Sequence, residues 1–136
     1  RVLDLFAGTG ALALEALSRG AASAVLVDRT TYAILQENVR RTKMEDCAEI
    51  RRGDVYDHVA VLAREGHAFD LIFADPPYAL PELSTIPRLI FQYDLLKPDG
   101  VFVFEHGKHN DFSDQPHFAE HRSYGSVNFS IFQKLG

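Results

Sequence analysis

Short apolar runs alternate with helix-forming segments along most of this chain, and each run is cut off by glycine, proline or a charged residue. Val2 to Phe6 leads into Ala7-Gly8-Thr9-Gly10 and then into the alanine–leucine segment Ala11 to Leu17, which Gly20 stops. Glycine permits the tight turn, and alanine and leucine favour the helix. Ala24 to Asp28 reads as a second strand, followed by a helix from Thr30 to Lys43 whose last turn carries Arg40, Arg41 and Lys43, as the macrodipole favours. Ala48 to Arg51 is a short third strand. Val55 to Glu65 has helical periodicity through Val59, Leu62 and Ala63, and Phe69 to Asp75 is a fourth strand stopped by Pro76-Pro77. A helix over Glu82 to Leu95, with a break near Pro87, leads through the turn Lys97-Pro98-Asp99-Gly100 into a fifth strand, Val101 to Glu105. Apolar strands separated by helices require a parallel sheet covered on both faces. After the polar loop Gly107 to Pro116 the pattern changes to two strands, Phe118 to Ser123 and Val127 to Lys134, joined by a tight turn at Tyr124-Gly125. Such neighbours are antiparallel. The predicted fold is α/β, a Rossmann-like doubly wound, mostly parallel sheet ending in an antiparallel β-hairpin.

The 136 residues fit one domain, 1–136. With 46% hydrophobic and 24% charged residues the chain is neither a disordered tail nor a fibrous repeat. No apolar run is long enough for a membrane span or a signal-peptide core. Cys47, the one cysteine, forms no internal disulfide, which fits a cytoplasmic protein. The net charge of −5 taken alone argues against nucleic acid as a partner. The chain starts Arg1-Val2-Leu3-Asp4, without methionine and already inside an apolar run, so an upstream segment is expected to be lacking.

Gly8-Thr9-Gly10-Ala11-Leu12-Ala13 matches G-x-G-x-x-G/A, and Asp28 stands at the end of the next strand. The glycines let the backbone approach a ligand, and the carboxylate can accept both hydroxyls of a ribose. A nicotinamide or flavin cofactor fits this pair as well as any other adenosine, and a plain strand-to-helix turn with a surface Asp is the bland alternative. Asp4 shifts the balance. A carboxylate within an apolar strand is costly unless satisfied, and beside a glycine loop it can take backbone N–H groups or a ligand's ammonium group. A pyrophosphate is disfavoured there; the amino-acid and sulfonium ends of S-adenosylmethionine are not. Asp54, at the end of the third strand before Val55, either accepts from an adenine amino group with Val55 packed on the ring, or simply caps the following helix.

Asp75-Pro76-Pro77-Tyr78 is the most specific feature. Two prolines fix two φ angles and remove two donors, leaving a rigid, acceptor-rich turn at a strand's carboxyl end. The Asp75 carboxylate and the Pro76 carbonyl can together accept both hydrogens of an exocyclic amino group, and Tyr78 offers a face on which a planar base can stack.

Asp4-Leu5-Phe6-Ala7-Gly8-Thr9-Gly10 with Asp75-Pro76-Pro77-Tyr78 resembles the signature pair of class I S-adenosylmethionine-dependent amino methyltransferases. More narrowly, the stretch from Asp4 through Arg19 into Gly20 and the closing Tyr124-Gly125-Ser126-Val127-Asn128-Phe129 hairpin are similar to the bacterial 16S ribosomal RNA guanine-N2 methyltransferase family. The resemblance implies S-adenosylmethionine as cofactor, S-adenosylhomocysteine as product and no metal. It implies a cofactor set of Asp4, Phe6, Ala7, Gly8, Thr9, Gly10, Asp28, Arg29, Asp54 and Val55, and a catalytic set of Asp75, Pro76, Pro77 and Tyr78. The implied partner is 16S ribosomal RNA, free or within an assembling small subunit, met by a cytoplasmic monomer with no membrane contact. In this family a segment before the first strand carries a basic, RNA-contacting region. Residues 1–52 hold eight Lys/Arg against seven Asp/Glu, and residues 53–136 six against twelve, so the half with the catalytic turn is acidic. Phosphate contacts dominate RNA affinity, so they have to come from elsewhere.

Three other readings stay open. Adenine-N6 and protein-glutamine methyltransferases share the same turn chemistry, an NAD-dependent oxidoreductase would use the glycine loop and Asp28 but leave the Asp-Pro-Pro-Tyr turn unexplained, and a catalytically silent binding module is the third. His106 and His109 follow a strand without a third convincing ligand and read as a polar loop flanking the substrate mouth, where Lys108 could touch phosphate. Arg40, Arg41, Lys43, Arg51 and Arg52 read as a solvated face.

Overall fold

The computed structural model describes residues 1–77 and 82–135. Seven strands form one sheet: β1 (Val2–Leu5), β2 (Ala24–Asp28), β3 (Ala48–Arg52), β4 (Phe69–Ala74), β5 (Leu96–His106), β6 (Phe118–Tyr124) and β7 (Val127–Gln133). Their order is β3-β2-β1-β4-β5-β7-β6. β1 to β5 are parallel, and β7 runs antiparallel to both β5 and β6. The predicted doubly wound sheet with a terminal hairpin is the observed fold. Strand order reverses between β1 and β4, the kind of switch point outside which ligands bind in open α/β sheets.

Among the described residues four helices accompany the sheet: α1 (Ala11–Ser18), α2 (Tyr32–Arg41), α3 (Val55–Arg64) and α4 (Thr85–Gln92). Alternation along each strand sends side chains to two cores. Leu3 and Leu5 of β1, with Ile72, Phe102 and Phe104, pack against Val55, Val59 and Leu62 of α3 and Ile86 and Ile90 of α4. Val2, Ala24 and Leu26 pack on the other face against Leu14 and Leu17 of α1 and Leu35 and Val39 of α2. Side chains such as Leu26, Leu62 and Phe104 are fully buried, each contributing about 1.5–3 kcal/mol.

Several boundaries differ from expectation, and four of the differences have a visible physical cause. α2 begins at Tyr32 rather than Thr30, because the Thr30 N–H donates to Asp28 Oδ1 at 3.0 Å instead of entering the helix. α4 begins at Thr85 rather than Glu82, and Pro87 causes no break: as the third helical residue it lacks only an N–H that would be unpaired there anyway. The turn expected at Lys97-Pro98-Asp99-Gly100 lies inside β5. Phe69 pairs with Leu96 but Leu71 already pairs with Val101, so the intervening residues bulge out. β7's continuation holds the bulge, with the Asp99 N–H donating to the Lys134 carbonyl at 2.7 Å and the Lys134 N–H to that of Gly100 at 3.1 Å. In the hairpin the turn sits one residue later than expected, at Gly125-Ser126, with Gly125 at φ 64°.

Candidate active site

The carboxyl ends of the parallel strands converge on a cavity of about 590 Å³ lined by Phe6, Asp28, Arg29, Thr30, Asp54, Val55, Tyr56, Asp75, Pro76, Pro77 and Glu105. Eight of the predicted site residues therefore meet in one place, contributed by the ends of β1, β2 and β4 and the start of α3. Tyr78 lies outside the described residues. Asp4, Ala7, Gly8, Thr9 and Gly10 do not line the cavity; they form its shoulder, and each is placed by a separate physical cause.

The loop from β1 to α1 turns through three left-handed residues, Phe6 and the glycines Gly8 at φ 59° and Gly10 at φ 82°. Their uses differ. A Cβ on Gly8 would meet nothing within 4 Å, so the backbone there borders open space. A Cβ on Gly10 would approach Leu35 Cδ2 at 3.0 Å and Leu26 Cδ2 at 3.1 Å, so that glycine lets α1 sit close on β2 and α2. Asn38 of α2 donates through Nδ2 to the Thr9 carbonyl at 2.7 Å and anchors the loop from outside. Ala7 is held by its N–H to the Val27 carbonyl at 2.9 Å. Phe6, left-handed at φ 61°, packs on the α3–α4 core while lining the cavity.

Asp28 grips the same loop. Its Oδ2 accepts from the Gly8 N–H at 2.8 Å and its Oδ1 from the Thr30 N–H. Burial opposes ionisation here, but these N–H groups hold the carboxyl below its ordinary value, so it is an anion at neutral pH. Oδ1 is also within 3.5 Å of the Thr30 hydroxyl, and Oδ2 keeps a further lone pair for a ribose hydroxyl. Asp54 caps α3, its Oδ1 accepting from the N–H of Tyr56 at 2.8 Å and of Asp57 at 3.3 Å. Capping and cavity lining coexist, because only one oxygen is committed.

Asp4 is the charged residue buried deepest beneath the loop, with 3% of its surface exposed. Gly10, at the N-cap of α1, has no side chain to cap the helix. Burial pushes the Asp4 carboxyl up to about 7; the N–H of Ala13 in α1's first turn opposes the rise, and the charges of Asp75 and Asp28 add to it. Its Oδ2 is buried without a hydrogen-bond partner among the described residues. A buried, unpaired acceptor costs about 1–3 kcal/mol, and a ligand's ammonium group would remove that cost. With the open space over Gly8, the Asp28 acceptors and the cavity, these residues fit S-adenosylmethionine. They fit a dinucleotide poorly, because its pyrophosphate would meet Asp4 as an anion.

Asp75 is exposed at the end of β4, followed by buried Pro76 and exposed Pro77. Desolvation first, and then Glu105, push its carboxyl up to about 6. Glu105, a lining residue that sequence reasoning passed over, reaches Asp75 only through the pairing of β4 with β5. Its neighbour His106 points the other way into the core, where its ring bonds Ser130 Oγ at 2.7 Å and the Gly107 carbonyl at 2.9 Å. His109 lines a separate cavity with Arg88 and Phe91 of α4 rather than the mouth of this one. The basic cluster is largely tied down: Arg40 and Arg41 pair with Glu37, Arg51 with Glu49 and Glu65, and Arg52 lies over the Tyr32 ring. Among the described residues no three His, Cys, Asp or Glu side chains are grouped to hold a metal ion.

Comparison with known proteins places this arrangement. Residues 1–133 match the family described as Conserved hypothetical protein 95. The "Putative rRNA methyltransferase YlbH" of Bacillus subtilis is 33% identical over 141 residues, an alignment covering 100% of this chain and 77% of that protein. Ribosomal RNA small subunit methyltransferase D of Escherichia coli is 30% identical over 97% of this chain and 67% of its own length. A solved conserved hypothetical protein from Streptococcus pyogenes superposes with a TM-score of 0.85 at 32% identity, over 98% of this chain and 85% of that one. An RNA methyltransferase from Salinibacter ruber, solved in complex with S-adenosyl-L-homocysteine, shares the fold, with a TM-score of 0.73 at 16% identity over 98% of this chain and 80% of that one. The chain belongs to the Conserved hypothetical protein 95 family and has the class I S-adenosylmethionine-dependent methyltransferase fold.

Proposed function

We propose that the protein is a ribosomal RNA methyltransferase, and that it methylates the exocyclic N2 amino group of a guanine in 16S ribosomal RNA. One observation carries the reading: the rigid Asp75-Pro76-Pro77 turn opens into the same cavity as Asp28 and Asp54, so an amino-group acceptor and an adenosine-binding wall share one space. Asp4, Asp28, Asp54 and the Gly8 backbone would hold the cofactor, with Phe6 and Val55 against its base. When bound, S-adenosylmethionine supplies an electrophilic methyl group. The chain's own task is then to position and to stabilise charge. Asp75 and the Pro76 carbonyl accept the two amino hydrogens, which turns the nitrogen lone pair into the cavity. As a carboxylate, Asp75 also offsets the positive charge that develops on nitrogen and is the nearby acceptor for the proton the nitrogen then sheds. A guanine in structured RNA has to leave its stack to reach this depth, at a cost of a few kcal/mol. The names of the rRNA methyltransferase relatives support the RNA class, and with twelve Asp/Glu against six Lys/Arg over residues 53–136 the phosphate contacts would come from elsewhere.

The test is transfer of labelled methyl from S-adenosylmethionine to undermethylated small subunits, naked 16S RNA, DNA and a release factor, with the product nucleoside or amino acid identified by mass spectrometry. N2-methylguanosine in the RNA is the expected product. Label on adenine N6 or on a protein glutamine would replace the reading by one of the amino-methyltransferase alternatives.

A further inference from the structure

Glu105 has no part in the chemistry above, yet its position is closely determined. Ala74 of β4 pairs in register with Phe104 of β5, which makes Asp75 and Glu105 the next neighbours across these two strands. Along β5, Phe102, Phe104 and His106 are buried, so Glu105 alternates onto the opposite face. Asp75 occupies that face too, being in phase with Phe73 against the α1–α2 core, as does Asp4, the register partner of Phe73. Asp75 and Glu105 line one cavity. A carboxylate offers acceptors only, so each of the two can take an N–H from a base held in this cavity.

The amines that Asp75 and Pro76 could hold differ in the atom beside the amino-bearing carbon. Guanine presents the N1–H donor there. Adenine and cytosine present a ring nitrogen lone pair, and a glutamine amide presents its carbonyl oxygen. We propose that Glu105 is a specificity-determining residue that accepts the N1–H of the target guanine while Asp75 and Pro76 hold its amino group. This rests on the guanine-N2 reading and deepens it. Against adenine or cytosine the Glu105 carboxylate would face a lone pair in a partly desolvated cavity, an unpaired arrangement that costs more than a missing contact. Sites built to hydrogen-bond a substrate N–H reject analogues lacking it far more strongly than apolar pockets reject a size mismatch.

The experiment uses small subunits reconstituted from 16S RNA that carries, by ligation, either guanine or 2-aminopurine at the accepting position. 2-Aminopurine keeps the amino group but turns N1 into an acceptor. The wild-type protein is expected to prefer guanine by about tenfold or more in kcat/KM, the range of one hydrogen bond to a charged group. In Glu105→Gln the amide can donate to N1 of 2-aminopurine, so the preference should narrow by about tenfold or invert, with S-adenosylhomocysteine affinity kept. Because 2-aminopurine also lacks O6, the change of preference between the two proteins is the quantity read. Glu105→Asp, which keeps the charge, should retain the guanine preference at a lower rate, and it serves as the second variant if the glutamine protein fails to fold. Equal loss on both substrates, or none on either, overturns the proposal. Wild-type label found anywhere other than guanine N2 overturns the underlying reading first and the role of Glu105 with it, and this is scored before any variant is made.

Discussion

Asp4→Asn separates the cofactor role of Asp4 from its cost to the fold. The carboxyl rises from 3.8 to about 7 on folding, which corresponds to about 4 kcal/mol of preference for the protonated form. Over this window the folded chain keeps a proton that the unfolded chain has released, so the contribution of Asp4 to stability is complete below about pH 4. It is lost as pH rises towards 7 and is constant above that. The steepest expected slope is about 1.4 kcal/mol per pH unit. Asparagine has the same shape and cannot ionise. Urea unfolding of both proteins at pH 5, 6, 7 and 8 should show the stability of the wild type falling relative to Asp4→Asn by about 2.5 kcal/mol between the lowest and highest pH, the rest having been lost below pH 5. The difference in pH dependence is the quantity to read, because the amide also leaves an unpaired donor where Oδ2 stood, adding a pH-independent term of about 1–3 kcal/mol. Calorimetry with S-adenosylhomocysteine should show the opposite ranking at pH 8, with the variant binding about 10- to 100-fold more weakly because its ammonium partner is neutral. A stability difference that stays constant from pH 5 to 8 would refute the claim that burial governs this carboxyl, and unchanged affinity would refute its place in the cofactor site.

Asp75→Ala should lower methyl transfer by at least about a hundredfold while leaving S-adenosylhomocysteine affinity within about threefold, as measured by single-turnover labelling and calorimetry. In the wild type kcat should fall as pH drops through about 6, because Asp75, facing Glu105 and Asp4, then takes up a proton and loses its acceptor; a flat profile to pH 5 counts against it. Asp28→Ala should weaken cofactor binding and cost about 1–3 kcal/mol in urea unfolding, since the Gly8 and Thr30 N–H groups lose their acceptor. The two glycines should part company: Gly10→Ala strains φ and collides with Leu35 and Leu26, lowering stability by about 1–3 kcal/mol, whereas Gly8→Ala costs about 1 kcal/mol but places a methyl where the cofactor should lie. Equal effects of the two on both stability and affinity would contradict their separate roles.

The strands and helices were legible because their causes are local. The alanine–leucine run after Gly10, the helix ended by Gly66 and the proline stop after Asp75 act within a few residues, and the alternation of elements then leaves few sheet orders open. The failures have the opposite character. The turn expected at Asp99-Gly100 is absorbed into β5 by bonds from Lys134, which no local pattern reveals. Asn38 looks like an ordinary polar helix residue until α2 is laid against the glycine loop, where its amide reaches the Thr9 carbonyl. The same distinction divides the site. Gly8, Asp28 and Asp75 announce themselves because each ends a strand or opens a turn, and the chemistry of a nucleotide or amine site needs those residue types there. Glu105 also ends a strand, but its meaning depends on β5 lying beside β4 with Ala74 opposite Phe104. A slip of one residue would turn Glu105 into the core and His106 towards Asp75, exchanging a carboxylate for an imidazole beside the Asp75-Pro76-Pro77 turn. Register, set by Phe102, Phe104 and Phe132 packing together in the α3–α4 core, thus decides which side chain stands next to Asp75. Trimming Phe104 should therefore disturb substrate choice as well as stability, because the same packing that holds the sheet also aims Glu105.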